Sequence, residues 1–249
     1  MRAFLFVFAA AALIAQAPKD VYLLIGQSNM AGRGVIGEGD KEPIPGVFML
    51  TKEDKWAPAV EPVHFDRPDR LGVGLSRAFA KTLKDFGAGA NGIGLIPCAM
   101  GGSALDEWKP GGKLYTEAVR RTKLALANGA RLRGILWHQG EADSQDLAKA
   151  RSYAARWSVV MHSLRADVGD APIVVGGLGE FLYTRDKNDY PYSRMINEAL
   201  ASLAVNEKNV AYVSSGALNH KGDILHYDSP SLKEFGRRYA MAFLLLAKP

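Results

Sequence analysis

Six short runs of apolar residues, each three to five long and rich in Val, Ile and Leu, recur along this 249-residue chain: 21–25, Val47–Leu50, Ile93–Pro97, 134–137, 173–175 and 210–214. Runs this short, without polar alternation, belong to strands buried on both faces, the mark of a parallel sheet covered on each side. Helical patterns fill the gaps at 74–86, 113–128, 146–167, 192–205 and 230–246. The alternation predicts a three-layer α/β/α sandwich around a doubly wound parallel sheet with right-handed crossovers. The punctuation agrees. Phe86-Gly87 and Asn128-Gly129 read as helix stops, and Ser229 followed by Pro230 reads as a cap and first helical residue. The length suits one well-buried core, and no repeat or linker interrupts it, so residues 18–249 are read as a single domain.

The first seventeen residues stand apart. Arg2 precedes an apolar stretch, 3–14, that is too short to span a bilayer comfortably, and Ala15 and Ala17 fit a small-x-small cleavage site. Residues 1–17 are therefore expected to be an export signal, which places the mature protein outside the cytoplasm, secreted or periplasmic, with no stable membrane association once the signal is removed. Cys98 is the single cysteine, so no internal disulfide supports the core. The formal net charge is +5, but the basic residues are dispersed along solvated helix patterns and form no nucleic-acid patch.

In an open α/β sheet, ligands bind beyond the carboxyl ends of the strands, and four such ends here carry polar clusters. The first strand runs into Gln27, Ser28 and Asn29. The third runs into "CAMGGSAL", where Gly101 and Gly102 let backbone N–H groups face a ligand. The fourth runs into "HQGEAD", which places His138, Gln139 and Glu141 together. Past the last strand, "KGDILHYDSP" sets Asp223 three residues before His226, a spacing that lets the carboxylate reach the ring. These pieces compose a serine esterase. Ser28 is the expected nucleophile, His226 the base that takes and returns its proton, and Asp223 the group that fixes the tautomer. The N–H of Ser28, a glycine N–H at Gly101 or Gly102 and the Gln139 amide are the expected oxyanion donors. Gln27, Asn29, Trp108 and His138 are candidate substrate contacts, with Trp108 as a stacking face for a sugar. The long connections at 51–70 and 177–191 are candidates to border the site, with His64 in the first and Tyr183 and Tyr190 in the second, and Tyr192 just beyond it as a further rim candidate.

"GQSNM", "GGSAL…W", "WHQGEAD" and the Asp-x-x-His pair together resemble the SGNH hydrolase superfamily, more narrowly its sialate O-acetylesterase-like branch, which includes the acetylxylan esterases of carbohydrate esterase family 6. "GVGLSRAFA" at 72–80 and "GGLGEFL" at 176–182 extend the similarity over nearly the whole mature chain. The resemblance implies a flavodoxin-like sheet, removal of acetyl groups from carbohydrates, and no metal or other cofactor. It puts Ser28 in the first block, Gly101 or its neighbour in the second, and His226 with Asp223 in the last. Gln139 stands where the wider superfamily has an oxyanion-hole Asn. It also raises Glu141 as a member of the catalytic set, since the glutamate of the HQGE block has that assignment in this branch. Whether Asp223 or Glu141 orients His226 is open at the level of sequence, with Asp223 preferred for its spacing.

Other motifs yield less. "GRGVIG" at 32–37 has the dinucleotide-binding spacing but runs into "EGDKEPIPG", which cannot open a helix. No G-x-S-x-G elbow occurs, and no histidine pair has zinc spacing. His162 lies in a helical pattern and reads as a surface or boundary residue, and His220 lacks an acid at the spacing that Asp223 has from His226, since position 217 is Ala. Cys98 reads as a small buried hydrophobe. Two rival readings share the fold: the same catalytic set acting on lipid, thioester or aryl esters, and a carbohydrate-binding protein without turnover.

Overall fold

The computed structural model describes residues 17–127, 129–184 and 189–247, so the expected export signal lies outside the described residues except for Ala17, as does Asn128 of one expected helix stop. Seven strands form one sheet: β1 (Asp20–Gly26), β2 (Val47–Leu50), β3 (Trp56–Pro58), β4 (Ile93–Pro97), β5 (Arg131–His138), β6 (Ile173–Gly176) and β7 (Val210–Val213). They lie in the order β3-β2-β4-β1-β5-β6-β7, parallel throughout except for the β2–β3 pair at one edge. The helices are α1 (Ser28–Ala31), α2 (Ser76–Asp85), α3 (Lys113–Ala127), α4 (Leu147–Arg151), α5 (Tyr153–Val168), α6 (Ser193–Asn206) and α7 (Ser229–Leu246).

Alternate side chains of β1 divide the core. Val21, Leu23 and Ile25 face α3, α5 and α6, where Trp157, Leu164, Ile196 and Leu200 are buried. Tyr22 and Leu24 face α2 and α7, against Phe79, Phe235, Tyr239 and Phe243. A strand buried on both sides needs apolar residues at every position, which is why β1 shows no alternation.

Without the edge pair β2–β3, the five remaining strands have the flavodoxin-like order 2-1-3-4-5. The chain leaves β1 for β4 on one side and returns past β1 to β5 on the other. That reversal opens a crevice between the carboxyl ends of β1 and β5, where Gly26 pairs with His138. Two of the polar clusters meet there by topology alone.

The structure amends four local expectations. The region 51–70 contains the three-residue strand β3, which pairs antiparallel with β2 and carries Pro58 on the sheet edge, where a missing N–H does no harm. Strand β5 begins earlier than its apolar run, since Arg131 to Arg133 extend it with polar alternation. The expected helix 146–167 is two helices broken at Ser152, whose hydroxyl bonds back to the Ala148 carbonyl at 2.8 Å. The cap of α7 is Asp228, which accepts from the Ser231 N–H at 2.8 Å, and Ser229 is already helical.

Candidate active site

The site begins where β1 runs out of sheet. Gly26 has φ +133, and a Cβ there would lie 2.1 Å from the His138 carbonyl oxygen, so the close approach of β1 to β5 admits only glycine. The Gln27 N–H then donates to that same carbonyl at 2.8 Å, and the chain turns into the short helix α1 with Ser28 as its first residue. The first N–H groups of a helix have no intrahelical acceptor. That of Ser28 has no acceptor among the described residues.

His226 reaches this serine from the loop between β7 and α7. Its Nε2 lies 3.1 Å from Ser28 Oγ, and its Nδ1 lies 2.7 Å from Asp223 Oδ2. Asp223 is held by its own turn: Oδ1 accepts the backbone N–H of His226 at 2.8 Å and of Leu225 at 3.0 Å. Burial works against ionisation of Asp223, but the hydrogen bonds and charge of His226 outweigh it and keep the carboxyl below its ordinary range. A carboxylate at Nδ1 keeps the proton on that nitrogen and leaves Nε2 as the acceptor facing the serine hydroxyl.

Glu141 lies elsewhere. Its Oε1 accepts from Asn29 Nδ2 at 2.7 Å, and His138 Nε2 stands 3.6 Å away. Burial opposes the charge on Glu141, yet the His138 and Asn29 contacts hold its carboxyl below the ordinary range. Asn29 carries the connection onward. Its Nδ2 also donates to the Leu225 carbonyl at 3.2 Å, and its Oδ1 accepts the Tyr227 N–H at 3.2 Å. The residue after Ser28 thus grips the chain on either side of His226, with Glu141 behind it. Asn29 is 1% exposed, so it is a brace and not a substrate contact. His138 is also fully buried, edge-on to Tyr227 and Phe235, which removes it from the substrate contacts.

A cleft of about 240 Å³ opens over Ser28 and His226, with Gln27, Gly101 and Gly102 in its wall. Here two expected oxyanion donors are corrected. The Gly101 N–H donates to Asp66 Oδ2 at 2.8 Å. The Gln139 amide is fully buried and donates to Asp143 Oδ2 at 2.7 Å and to the Ser103 carbonyl at 3.1 Å, while its oxygen accepts from Tyr153 at 2.8 Å. Gly102, at φ +80, keeps an N–H without an acceptor among the described residues and lines the cleft. Gln27 accepts the Gly140 and Ala142 N–H groups through Oε1 at 3.3 and 3.4 Å, and its NH2 group has no acceptor among the described residues.

Trp108 is corrected as well: it is 1% exposed, packs edge-on against Trp137, and donates to Ser103 Oγ at 3.0 Å. His64 is buried and lines a separate cavity with Cys98, whose thiol burial pushes up to about 12. Of the three tyrosines, Tyr190 lines the cleft. The residues that sequence reasoning did not single out are Arg33, Arg67, Arg70 and Gln145 in the cleft wall and Asp66 and Asp143 behind it. For Asp66, Arg67 and Arg70 the only signal was the length of the 51–70 connection; Arg33, Asp143 and Gln145 had none.

A doubly wound sheet with this cleft at its switch point is the architecture of the SGNH hydrolases. Residues 18–245 match the model of the family described as carbohydrate esterase, sialic acid-specific acetylesterase, and the chain belongs to that family. A probable carbohydrate esterase of Arabidopsis thaliana is 31% identical over 246 residues, 91% of each chain. The X-ray structure of that plant protein matches with a TM-score of 0.83 over 92% of this chain and 98% of its own. NanS, at 19% identity, shares the fold with a TM-score of 0.76 over 92% of this chain and 98% of that one. So does a carbohydrate acetylesterase from Xanthomonas citri, at 20% identity and a TM-score of 0.71, over 92% of this chain and 56% of that one. The protein is therefore a carboxylic ester hydrolase, and its family's substrates are acetylated carbohydrates.

Proposed function

We propose that the protein removes O-acetyl groups from carbohydrates through an acetyl-enzyme intermediate on Ser28. The observation that carries this reading is the relay of 3.1 Å from Ser28 Oγ to His226 and 2.7 Å from His226 to Asp223, opening on a cleft. Ser28 Oγ attacks the acetyl carbonyl carbon while its proton passes to His226 Nε2. The negative oxygen that forms is received by the free N–H groups of Ser28 and Gly102. As the carbon–oxygen bond to the sugar breaks, His226 returns the proton to the departing sugar oxygen. Water then attacks acetyl-Ser28, with His226 as base, and releases acetate. Asp223 stabilises the imidazolium that forms in each half.

The wall of the cleft supports a sugar over a lipid. Two glutamines, three arginines and two glycines line it, and its apolar contribution among the described residues is limited to Ala142, Leu225 and the ring of Tyr190, too little for a long acyl chain. Arg67 has no carboxylate partner among the described residues, and Arg70 has only the exposed Asp69 at 3.4 Å. Two such guanidinium groups favour a glycan that bears a carboxylate, since Arg pairs with planar anions in bidentate fashion. The leader at 1–17 supports export, which N-terminal sequencing of the mature protein checks.

The test is acetate release from an O-acetylated acidic sugar and from an O-acetylated neutral xylo-oligosaccharide. The wild type should prefer the acidic sugar, and Ser28→Ala should lose about 10,000-fold or more in kcat on both with its fold intact. Near-normal turnover by Ser28→Ala would defeat the mechanism. A preference for the neutral sugar would defeat only the assignment of the arginines.

A further inference from the structure

Asp66 lies midway along the connection from β3 to α2, and its side chain is 1% exposed. Oδ2 accepts from Arg33 Nη2 at 2.6 Å and from the Gly101 N–H at 2.8 Å, and Oδ1 lies 3.4 Å from Arg33 Nη1. Arg33, itself buried, also donates through Nη1 to the Gly32 carbonyl at 2.8 Å, at the end of α1. One carboxylate therefore joins the segment that carries Ser28 to the loop that carries Gly102. Burial resists the charge on Asp66, but the hydrogen bond and charge of Arg33 hold its carboxyl below the ordinary range.

The loop is gripped on both sides of one residue. The Gly101 N–H goes to Asp66, and the Gly101 carbonyl accepts from Arg67 Nη2 at 3.4 Å. A trans peptide is planar, so the carbonyl of Gly101 and the N–H of Gly102 point in opposite directions within one rigid unit. Fixing Gly101 thus fixes the direction of the Gly102 N–H. The identity of Gly101 follows from the same grip: a Cβ there would meet Arg33 Nη2 at 2.4 Å and Asp66 Oδ2 at 2.9 Å. A buried ion pair is weak evidence for stability, because apolar replacements of similar volume often do as well. Its place in the cleft wall gives it another use.

We propose that Asp66 is a positioning residue: its carboxylate, clamped by Arg33, orients the Gly101–Gly102 loop so that the Gly102 N–H is already aimed at the oxygen that becomes negative when Ser28 attacks. Preorganised donors of this kind act on the transition state and not on the bound ester. The inference rests on Ser28 being the nucleophile.

The experiment compares wild type, Asp66→Asn and Asp66→Ala with a small acetyl ester and with a boronic acid that forms a tetrahedral adduct on Ser28. Asp66→Asn should lose about 10- to 100-fold in kcat, with KM within about twofold, because a misaimed donor costs less than the roughly 100- to 1,000-fold of a deleted one. Boronate affinity should fall by a similar factor. Asp66→Ala should be at least as impaired, and if it fails to fold, the Asn variant carries the test alone. Wild-type kcat in Asp66→Asn would overturn the proposal, as would a loss of kcat with boronate affinity unchanged, the outcome of a merely structural residue. Ser28→Ala separates the two levels. If it remains active, the reaction itself is misread. If it is inactive while Asp66→Asn runs at full rate, only this inference falls.

Discussion

Glu141 and Asp66 are both buried carboxylates, one behind each wall of the cleft, and they are held in different ways. Asp66 meets a guanidinium and a backbone N–H, and both of its oxygens face Arg33. Glu141 meets a neutral amide at 2.7 Å and an imidazole at 3.6 Å, and its Oε2 has no hydrogen-bond partner among the described residues. The first arrangement is a clamp on one peptide. The second passes through Asn29 to the loop that carries His226. The contrast shows how one sheet end draws distant segments together: a charged pair holds the Gly101 backbone on one side, and a shared amide ties the segment of Ser28 to the loop of His226 on the other.

The largest effect on the His226 side belongs to the group that touches the imidazole. Asp223→Asn should lower kcat by about 1,000- to 10,000-fold through the wrong tautomer, whereas Glu141→Gln, whose oxygen still accepts from Asn29, should lose about tenfold. Steady-state kinetics on an acetyl ester read both. Equal losses would break the contrast, since Glu141 would then share the orientation of His226.

Asn29→Ala comes next. It strips partners from Glu141, from the Leu225 carbonyl and from the Tyr227 N–H, and should cost about 1–3 kcal/mol in urea unfolding. It should also lower kcat about 10- to 100-fold as the His226 loop loosens. Full activity with the stability loss alone would show that the loop holds His226 unaided.

The smallest effect is on stability against pH. Asp66, Glu141 and Asp223 all have depressed folded-state pKa values. Their stabilisation is present above the unfolded carboxyl pKa, about 4, and is lost as the pH falls through the lower folded values. Glu61 runs the other way. Burial, only partly offset by the Gly74 and Val63 N–H groups, pushes it up to about 7, so its contribution declines as the pH rises from about 4.5 through 7. Unfolding midpoints between pH 3 and 8 should flatten at the acid end in Asp66→Asn and at the neutral end in Glu61→Gln. Unchanged profiles would contradict these assignments.

Much of the scaffold is legible in sequence because a doubly covered strand must be apolar throughout, and β1 and β4 say so directly. The position of Ser28 and the Asp223–His226 spacing are local, and so they are readable too. What is not local is harder to read. Nothing in "HQGE" tells that the Gln139 amide turns inward to Asp143, or that Trp108 closes over Trp137 in the core. The pairing of Asp66 with a glycine 35 residues further on exists only once β4 lies beside β1. Likewise β3, three residues with a proline, becomes a strand only when β2 offers its edge.

The account stands on Ser28 being the residue that His226 activates. Incubation with a fluorophosphonate probe, followed by mass mapping of the peptides, tests it directly. A single adduct on Ser28 that disappears in His226→Ala is the predicted result, and a wild type that stays unlabelled, or labels at another residue, would contradict it.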